Sequence, residues 1–396
     1  MMRAILALLY LSSLSAQAAW EFSSPVDVGA VSGKKVFHHL ESANRKALAE
    51  SGGRVALVWE DNRTGAPRCW LAVREPNTAA FAAPQAITAG ECYEPVVQGM
   101  GGGRFVLGWE EHGAVWIKAS NQGRALRLSR APAAQITLTK VDERTVHAAW
   151  AEQAGKYKRI MTARIALQAN RPRIQTSAPL DIQAPKDEQA YPALAVNADG
   201  SVAAVWEDRR FKHTMIMAAH SADGKTFAPP YRLIDVSRVR TQTLGAGMGS
   251  MRPTLASCGN ACLIAAWLDK RDFLAGYDVY AAFSQESGRS FGRNIKVQDS
   301  FGDNVSQWHA SIAANPTGRV IAVWDDDRDG TPDIWLSDWD GKQFSDNVAP
   351  PNAHGPGTQS DPVIYLDATD TLHIAWLERV DGGGTRLKYA SAISKK

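Results

Sequence analysis

Arginines are the residues of this sequence best placed to do chemistry. Arg45 and Arg252 lie close to the starts of predicted strands. Four more arginines follow a Trp-x-Asp-x-Arg pattern: Arg63, Arg210, Arg271 and Arg328. Guanidinium groups bind carboxylates through two parallel hydrogen bonds, so a converging set would bind an anion. In the alternative interpretation, each arginine of the pattern pairs with its own aspartate and is unavailable to a ligand.

Further ligand-binding candidates lie in the predicted loops before the inner strands: Tyr191, Trp308, His309 and Asp361. Trp308 is the tryptophan best placed to stack on a sugar ring, because most others end apolar strands and are expected in the core. A solvated rim without a ligand is the alternative, since loops are polar in most proteins.

One acidic stretch has the spacing of a calcium-binding loop. Asp325, Asp327, Asp329 and Asp333 form the pattern D-x-D-x-D-G-x-x-D, in which alternate carboxylates and a glycine turn can surround a hard cation. The stretch is also the most acidic copy of a repeated turn, so a solvated turn is the alternative. Calcium is the one cofactor that the sequence suggests.

These residues belong to a repeat of seven units. Apolar runs end in tryptophan at intervals of 41 to 61 residues, at Trp59, Trp109, Trp150, Trp206, Trp267, Trp324 and Trp376. An acid follows two residues after each tryptophan, and each unit reads as short strands joined by hairpin turns. The sequence therefore predicts an all-β fold, a seven-bladed β-propeller of four-stranded antiparallel blades.

The two ends of the chain predict how the ring closes. Residues 22–25 (FSSP) have the pattern of a fourth strand with no blade before it, and the last unit stops after its third strand. We therefore expect the N-terminal strand to join the last blade, which leaves no open sheet edge. The loops before the inner strands would then open at one mouth of the central channel.

The first residues have the layout of a secretory signal peptide, an apolar run followed by Ala-Gln-Ala at residues 16–18. We expect cleavage after Ala18, so that residues 1–18 are the signal peptide and residues 19–396 form one propeller domain, periplasmic or extracellular. No later stretch is long and apolar enough to span a membrane. The net charge is +3 without long runs of one sign, which argues against a nucleic-acid binder.

The four cysteines suit an oxidising compartment. Cys258 and Cys262 flank a predicted hairpin turn, while Cys69 begins one strand and Cys92 precedes the next unit. Meander geometry places Cys69 and Cys92 on one face. We therefore predict the disulfides 69–92 and 258–262.

The predicted turns between third and fourth strands resemble the Asp-box, S-x-D-x-G-x-T-W, of the sialidase-like propeller superfamily. Residues 284–291 (SQESGRSF) match its length, residues 221–227 (SADGKTF) are one residue short, and residues 340–344 (DGKQF) are a remnant. The resemblance implies the propeller fold. For an active sialidase it also implies three arginines on a sialic acid carboxylate, a Tyr-Glu nucleophile pair and an Asp acid/base. Arg45 and Arg63 match two arginine positions, whereas the Asp and the Tyr-Glu pair have no match.

Two functional hypotheses follow from these residues. In the first, the chain is an exported, non-catalytic module that binds a glycan, a small anionic ligand or an exported protein at the channel mouth. In the second, it is a glycoside hydrolase of exo-sialidase type. Convergence of Arg45, Arg63 and Arg252 with a carboxylate would favour the enzyme, and arginines closed on their own aspartates would favour the binding module.

Overall fold

The computed structural model describes residues 20–29, 35–119, 123–168, 171–235, 249–271, 276–379 and 383–395. It contains seven antiparallel sheets. The inner strand of each sheet packs against the inner strands of its two neighbours, and the seventh packs against the first. The chain is therefore a seven-bladed β-propeller, as the repeat predicted. The expected signal peptide, residues 1–18, lies outside the described residues, within which no helix could cross a membrane.

Strands are named A to D from the channel outward, and their bounds follow blade by blade. In blade 1, strand A consists of His38–His39 and Leu48–Ser51, and strands B, C and D are Arg54–Asp61, Arg68–Arg74 and Gln85–Ala86. In blade 2, strands A to D are Tyr93–Gly101, Arg104–Glu111, Ala114–Lys118 and Leu126–Arg127. They are Ala133–Asp142, Thr145–Ala154, Tyr157–Gln168 and Arg171–Pro179 in blade 3, and Gln189–Val196, Val202–Asp208, Met215–Ser221 and Tyr231–Arg232 in blade 4. In blade 5, strands A to D are Ser250–Ser257, Leu263–Asp269, Asp278–Ser284 and Ile295–Lys296. Blade 6 has strands A to C only, Trp308–Ala314, Val320–Asp326 and Asp333–Asp338. In blade 7, strands A to C are Gln359–Leu366, Thr371–Arg379 and Thr385–Ser394, and Trp20–Phe22 and Val26–Asp27 form the outer strand. Two 3-10 turns cover Ala43–Arg45 and Ser300–Gly302.

The N-terminal segment closes the ring. Trp20–Phe22 and Val26–Asp27 both pair antiparallel with Thr385–Ser394, the third strand of blade 7. The indole nitrogen of Trp20 donates a hydrogen bond of 2.7 Å to Asp338 of blade 6. The segment therefore supplies the outer strand of the last blade, as expected, and also ties that blade to its neighbour.

Blade 6 departs from the four-stranded pattern. Its outer position is taken by Val348, which exchanges two backbone hydrogen bonds with Leu336 but extends into no strand. Pro350 and Pro351 follow at once, and a proline has no N–H to donate to a ladder. The proline pair accounts for the missing strand.

The repeated tryptophans form the core between blades, and all seven are buried. In blades 1 to 6 the indole Nε1 donates to the acid two residues later, at 2.7 to 3.1 Å. Successive strand side chains alternate in direction, so residues two apart share a face. Blade 7 is the exception, because Nε1 of Trp376 has no partner among the described residues.

The arginines of the Trp-x-Asp-x-Arg pattern are closed on these acids. Arg328 donates to Asp326 at 2.6 Å and to Asp299 at 3.2 Å, and its guanidinium lies 4.3 Å from the ring centroid of Trp335. Asp299 follows the outer strand of blade 5, so the arginine joins two blades. The equivalent pairs are Arg63 with Asp61, Arg210 with Asp208 and Asp181, and Arg271 with Asp269 and Asp235.

Both predicted disulfides are present. Cys69 is joined to Cys92, which links blade 1 to the start of blade 2. Cys258 is joined to Cys262 across the turn between strands A and B of blade 5.

The network around Asp326 predicts a measurable loss of stability. We expect Asp326→Ala to lower the free energy of unfolding by about 3 kcal/mol, because it leaves the buried indole N–H of Trp324 without an acceptor and removes the nearer of the two carboxylates paired with the buried guanidinium of Arg328. Glu378→Ala is the matched control, since the equivalent acid of blade 7 accepts no indole bond and should cost about 1 kcal/mol or less. Urea unfolding of both variants tests this, and equal losses would contradict it.

Candidate functional site

In blades 2 to 7 the inner strand carries one non-glycine residue with a positive φ near its start, and in blade 1 Arg45 of the 3-10 turn takes this place; the φ values are 44° to 63°. These residues are Arg45, Glu94, Gln135, Tyr191, Arg252, His309 and Asp361. In blades 2 to 7 the register between strands A and B shifts at this place, which is a β-bulge. Positive φ is costly for residues other than glycine, and bulges re-aim side chains next to binding sites. The six bulges, together with Arg45 of blade 1, therefore define a ring at the channel mouth, which we call the mouth ring.

Ion pairs connect the mouth ring across the channel. Arg45 donates to Asp361 at 2.5 Å and to Glu41 at 3.0 Å. The other oxygen of Glu41 accepts from Arg252 at 2.9 Å, and the Arg252 guanidinium lies 3.6 Å from the ring centroid of Tyr191. Both arginines are thus satisfied by carboxylates of the protein itself.

A second set of acids, which we call the supporting acids, accepts hydrogen bonds from backbone N–H groups of the mouth ring. The residue directly after the repeated tryptophan is acidic in four blades, and it accepts the backbone N–H of the next blade's ring residue at 2.5 to 3.4 Å. The four pairs are Glu60 with Glu94, Glu110 with Gln135, Glu207 with Arg252, and Asp325 with Asp361. Because a bulge frees an N–H from the strand ladder, these carboxylates satisfy a group that would otherwise be unpaired.

His309 and Asp361 hold opposite charges at the centre of the mouth. His309 Nδ1 lies 2.7 Å from Asp325 Oδ1. Burial disfavours the imidazolium, but the carboxylates of Asp325 and Asp361 outweigh it and raise the pKa of His309 to about 9. Burial also disfavours the Asp361 carboxylate, yet Arg45 and His309 lower its pKa to about 2.

Three glutamates of the same region have raised pKa values, in contrast to the lowered pKa of Asp361. Burial, followed by the charges of Glu110 and Glu41, raises the pKa of Glu94 to about 8. Burial also raises the pKa of Glu110 and the pKa of Glu207 to about 7 each. Near neutral pH the mouth therefore offers both protonated and ionised carboxyl groups.

The open space of the mouth is a cavity of about 220 Å³ lined by Glu41, Arg45, Met251, Arg252, Leu268, Trp308, His309 and Ala310. Trp308 is 42% exposed, and its ring lies 5.4 Å from that of Tyr277 in a tilted arrangement. The cavity thus combines charged groups with an exposed aromatic surface.

A plug forms the floor of this cavity. Residues 40–47 interrupt the inner strand of blade 1 and contain the turn Ala43–Arg45. The Asn44 side chain accepts from the backbone N–H of Leu255 at 2.8 Å and donates to its carbonyl at 3.4 Å. The turn also packs against the inner strands of blades 2 to 5. It therefore crosses the channel from blade 1 to blade 5.

The structure divides the residues predicted from the sequence into two groups. It brings together six at the mouth: Arg45, Tyr191, Arg252, Trp308, His309 and Asp361. It places Arg63, Arg210, Arg271 and Arg328 on their own aspartates, so that these four guanidinium groups are engaged in the loops between strands B and C. Sequence reasoning missed Glu41 and the supporting acids Glu60, Glu110 and Glu207. A second acid directly after the tryptophan was the available signal for three of them, Glu60, Glu110 and Glu207.

The four aspartates proposed for calcium do not form one cluster. Asp325 and Asp326 are adjacent strand residues and point to opposite faces, so Asp325 meets His309 while Asp326 lies opposite Asp333. Asp327 is an exposed turn residue whose carbonyl accepts from Gly330. Because strand side chains alternate, Asp325 and Asp333 lie on opposite faces of the sheet, and the calcium loop expected from the spacing is not formed.

Two other groups among the described residues have the composition of metal sites. Asp329 and Asp333 approach His354, with His354 Nε2 at 3.0 and 3.8 Å from their oxygens. Glu41, His309 and Asp361 form the second group. In that group Arg45 already neutralises both carboxylates, which disfavours a cation there.

No protein-family model matches this chain, and no curated protein matches it in sequence. Among solved structures, a protein of unknown function from Dyadobacter fermentans is similar with a TM-score of 0.58 and 12% identity, over 95% of this chain and 99% of that one. The α-L-arabinofuranosidase Arb93A from Fusarium graminearum, in complex with an iminosugar inhibitor, gives 0.51 and 11%, over 94% and 98%. A Penicillium chrysogenum α-L-arabinanase complexed with arabinobiose gives 0.48 and 10%, over 94% and 98%. At these identities the likeness shows the fold alone, a propeller that glycoside hydrolases also use.

The raised pKa of His309 can be tested by NMR titration of the imidazole. We expect a midpoint near pH 9 that falls in Asp325→Asn, because this change removes the nearest negative charge. Asp327→Asn, which alters an exposed turn carboxylate, should leave the midpoint unchanged. Since the folded-state pKa lies above the ordinary value, the stabilisation by protonated His309 is complete below about pH 6.5 and is lost as the pH rises through 9. An ordinary midpoint in the wild type would refute the pairing.

Proposed function

We propose that this chain is a glycan-binding β-propeller whose ligand site is the channel mouth. The observation that carries the proposal is the cavity at the mouth, in which Glu41, Arg45, Arg252 and His309 lie beside the exposed Trp308. Carboxylates and amides accept hydrogen bonds from sugar hydroxyls, and an exposed indole packs on the apolar face of a sugar ring. The arabinofuranosidase that shares the fold was solved with an iminosugar inhibitor, which supports a sugar as the class of ligand.

The charge balance favours an uncharged glycan over an anionic one. Arg45 and Arg252 are held by Glu41 and Asp361, and the Arg45–Asp361 pair is largely buried. A ligand carboxylate would therefore have to displace a carboxylate of the protein from either arginine. The described residues of the mouth also include the acids Glu60, Glu94, Glu110, Glu207 and Asp325. An added negative charge would be repelled by the ionised members of this set and would further oppose the ionisation of Glu94, Glu110 and Glu207.

We also propose a relationship to the sialidase-like propellers, and the support for it is one turn. The Ser284 hydroxyl accepts the backbone N–H groups of Glu286 and Gly288, at 3.2 and 2.9 Å. This closes the turn between strands C and D of blade 5, where the Asp-box resemblance lies. The turn is on the face opposite the mouth, so it supports kinship and does not define the ligand.

Glycoside hydrolysis is the second candidate function. The reaction needs one protonated carboxyl group as general acid and one ionised carboxylate as nucleophile or base. Glu94 has the raised pKa of the former, and its charge interacts with that of Glu41, which bridges two arginines. In this proposal Glu94 protonates the glycosidic oxygen, and Glu41 attacks the anomeric carbon or activates water.

Export is part of the proposal as well. Disulfides form and persist in oxidising compartments, and two are present. Together with the signal-peptide pattern of residues 1–18, they support a periplasmic or extracellular location.

The binding proposal predicts saturable binding of a neutral oligosaccharide. Arabinobiose, xylotriose and a sialyl-oligosaccharide would be titrated by calorimetry into the disulfide-bonded protein. We expect Trp308→Ala to weaken the binding of a neutral sugar by about tenfold or more. Phe301→Ala is the control, because Phe301 is more exposed but does not line the cavity. Preference for the sialylated sugar, or an unchanged Kd in Trp308→Ala, would refute the proposal.

The hydrolysis candidate predicts a specific pH profile. Activity on an aryl furanoside or pyranoside should fall as the pH rises through about 8, because Glu94 must be protonated to act as general acid. Glu94→Gln should lower kcat by about 10²-fold or more. Glu91→Gln, at an exposed nearby position, should keep wild-type activity. Absence of turnover in a protein that binds the same sugar would leave the non-catalytic module as the function.

A further inference from the structure

The half of the channel beyond the plug contains a second cavity of about 290 Å³. It is lined by the last residues of the inner strands, including Val196, Ser257, Ala314 and Leu366. These residues lie towards the turns between strands A and B, on the face opposite the mouth. The plug separates this space from the mouth cavity, and we call it the lower channel.

Lys46 lines the lower channel and lacks a counter-ion. No hydrogen-bond acceptor or carboxylate partner of its ammonium group is found among the described residues. Burial lowers the pKa of Lys46 to about 8. Arg45, the preceding residue, is by contrast paired with Glu41 and Asp361. Because an ammonium that is partly removed from water and has no counter-ion is costly, the lower channel favours an anion.

The other walls of the lower channel are mixed. Val196, Ala256 and Ala314 are partly exposed apolar residues of the lining. Gln98 and Lys140 are among its polar residues. A charged group next to aliphatic walls suits a ligand with one negative end and a hydrocarbon body.

We propose that the lower channel binds a small aliphatic carboxylate, with its carboxylate on Lys46 and its hydrocarbon part against the apolar lining of Val196, Ala256 and Ala314. The site is independent of the glycan site at the mouth, since the plug lies between them. A charge-assisted hydrogen bond in this enclosed space supplies the affinity for the carboxylate. Burial of the hydrocarbon part distinguishes the ligand from inorganic anions, which gain nothing from apolar walls.

The test is calorimetric titration of butyrate, acetate and chloride into the disulfide-bonded protein at pH 6.5. We expect saturable binding that is tightest for butyrate and weakest for chloride. Lys46→Met should weaken butyrate binding by at least about tenfold, since it removes the ammonium and keeps the length of the side chain. Lys186→Met is the matched control, because Lys186 is exposed and does not line the cavity, and it should change the Kd by less than about twofold.

The pH dependence in the wild type provides a readout that needs no variant. Butyrate binding should weaken as the pH rises through about 8, because neutral Lys46 no longer attracts the carboxylate. Lys46→Met should also be at least as heat-stable as the wild type without butyrate, since it removes an unpaired charge. Binding that survives Lys46→Met but is lost in Arg252→Met would place the anion at the mouth and overturn the proposal. Equal affinity for chloride and butyrate, or no saturable binding, would overturn it as well.

Discussion

The hydrogen bond from a buried indole to the acid two residues further on is the interaction on which the blades depend. In blade 1 it joins Trp59 to Asp61, and the same acid holds the guanidinium of Arg63. The bond fixes which face of strand B looks into the core between blades. Side chains alternate along a strand, so the residue between tryptophan and acid must point the other way. In four blades that residue is acidic and supports the mouth ring of the next blade. The core pattern therefore sets the position of the functional acids.

The mouth ring follows from a second constraint, the closure of seven inner strands around a narrow channel. In blades 2 to 7 a bulge in the inner strand turns one side chain towards the mouth and frees one backbone N–H. In four of these blades an acid of the preceding blade accepts that N–H. The result is a group of carboxyls in which burial and mutual repulsion oppose ionisation, with raised pKa values at Glu94, Glu110 and Glu207. Asp361 stays ionised because Arg45 and His309 stabilise its charge.

The fold could be predicted from the sequence because its signals are local and repeated. Tryptophan with an acid two residues later recurs once per blade, the FSSP segment indicates the closing strand, and the cysteines flank recognisable turns. The site was predicted only in part. Tyr191, Arg252 and Asp361 stand before prolines at strand starts and could be found in this way. Glu41 could not, because its role is to bridge Arg45 to Arg252, residues that are adjacent only in the closed ring.

The plug shows how a symmetric fold acquires an asymmetric site. Six blades insert a bulge into the inner strand, whereas blade 1 inserts residues 40–47 and sends Asn44 across the channel to Leu255. This single departure supplies Glu41 and Arg45 to the mouth and Lys46 to the space below. Arg45 borders both cavities, but its charge is balanced on the mouth side, so the two halves of the channel differ in sign as well as in position. A channel lined by seven equivalent strands could not make that distinction, and the irregular segment of blade 1 is therefore the part of the chain that gives the channel its chemistry.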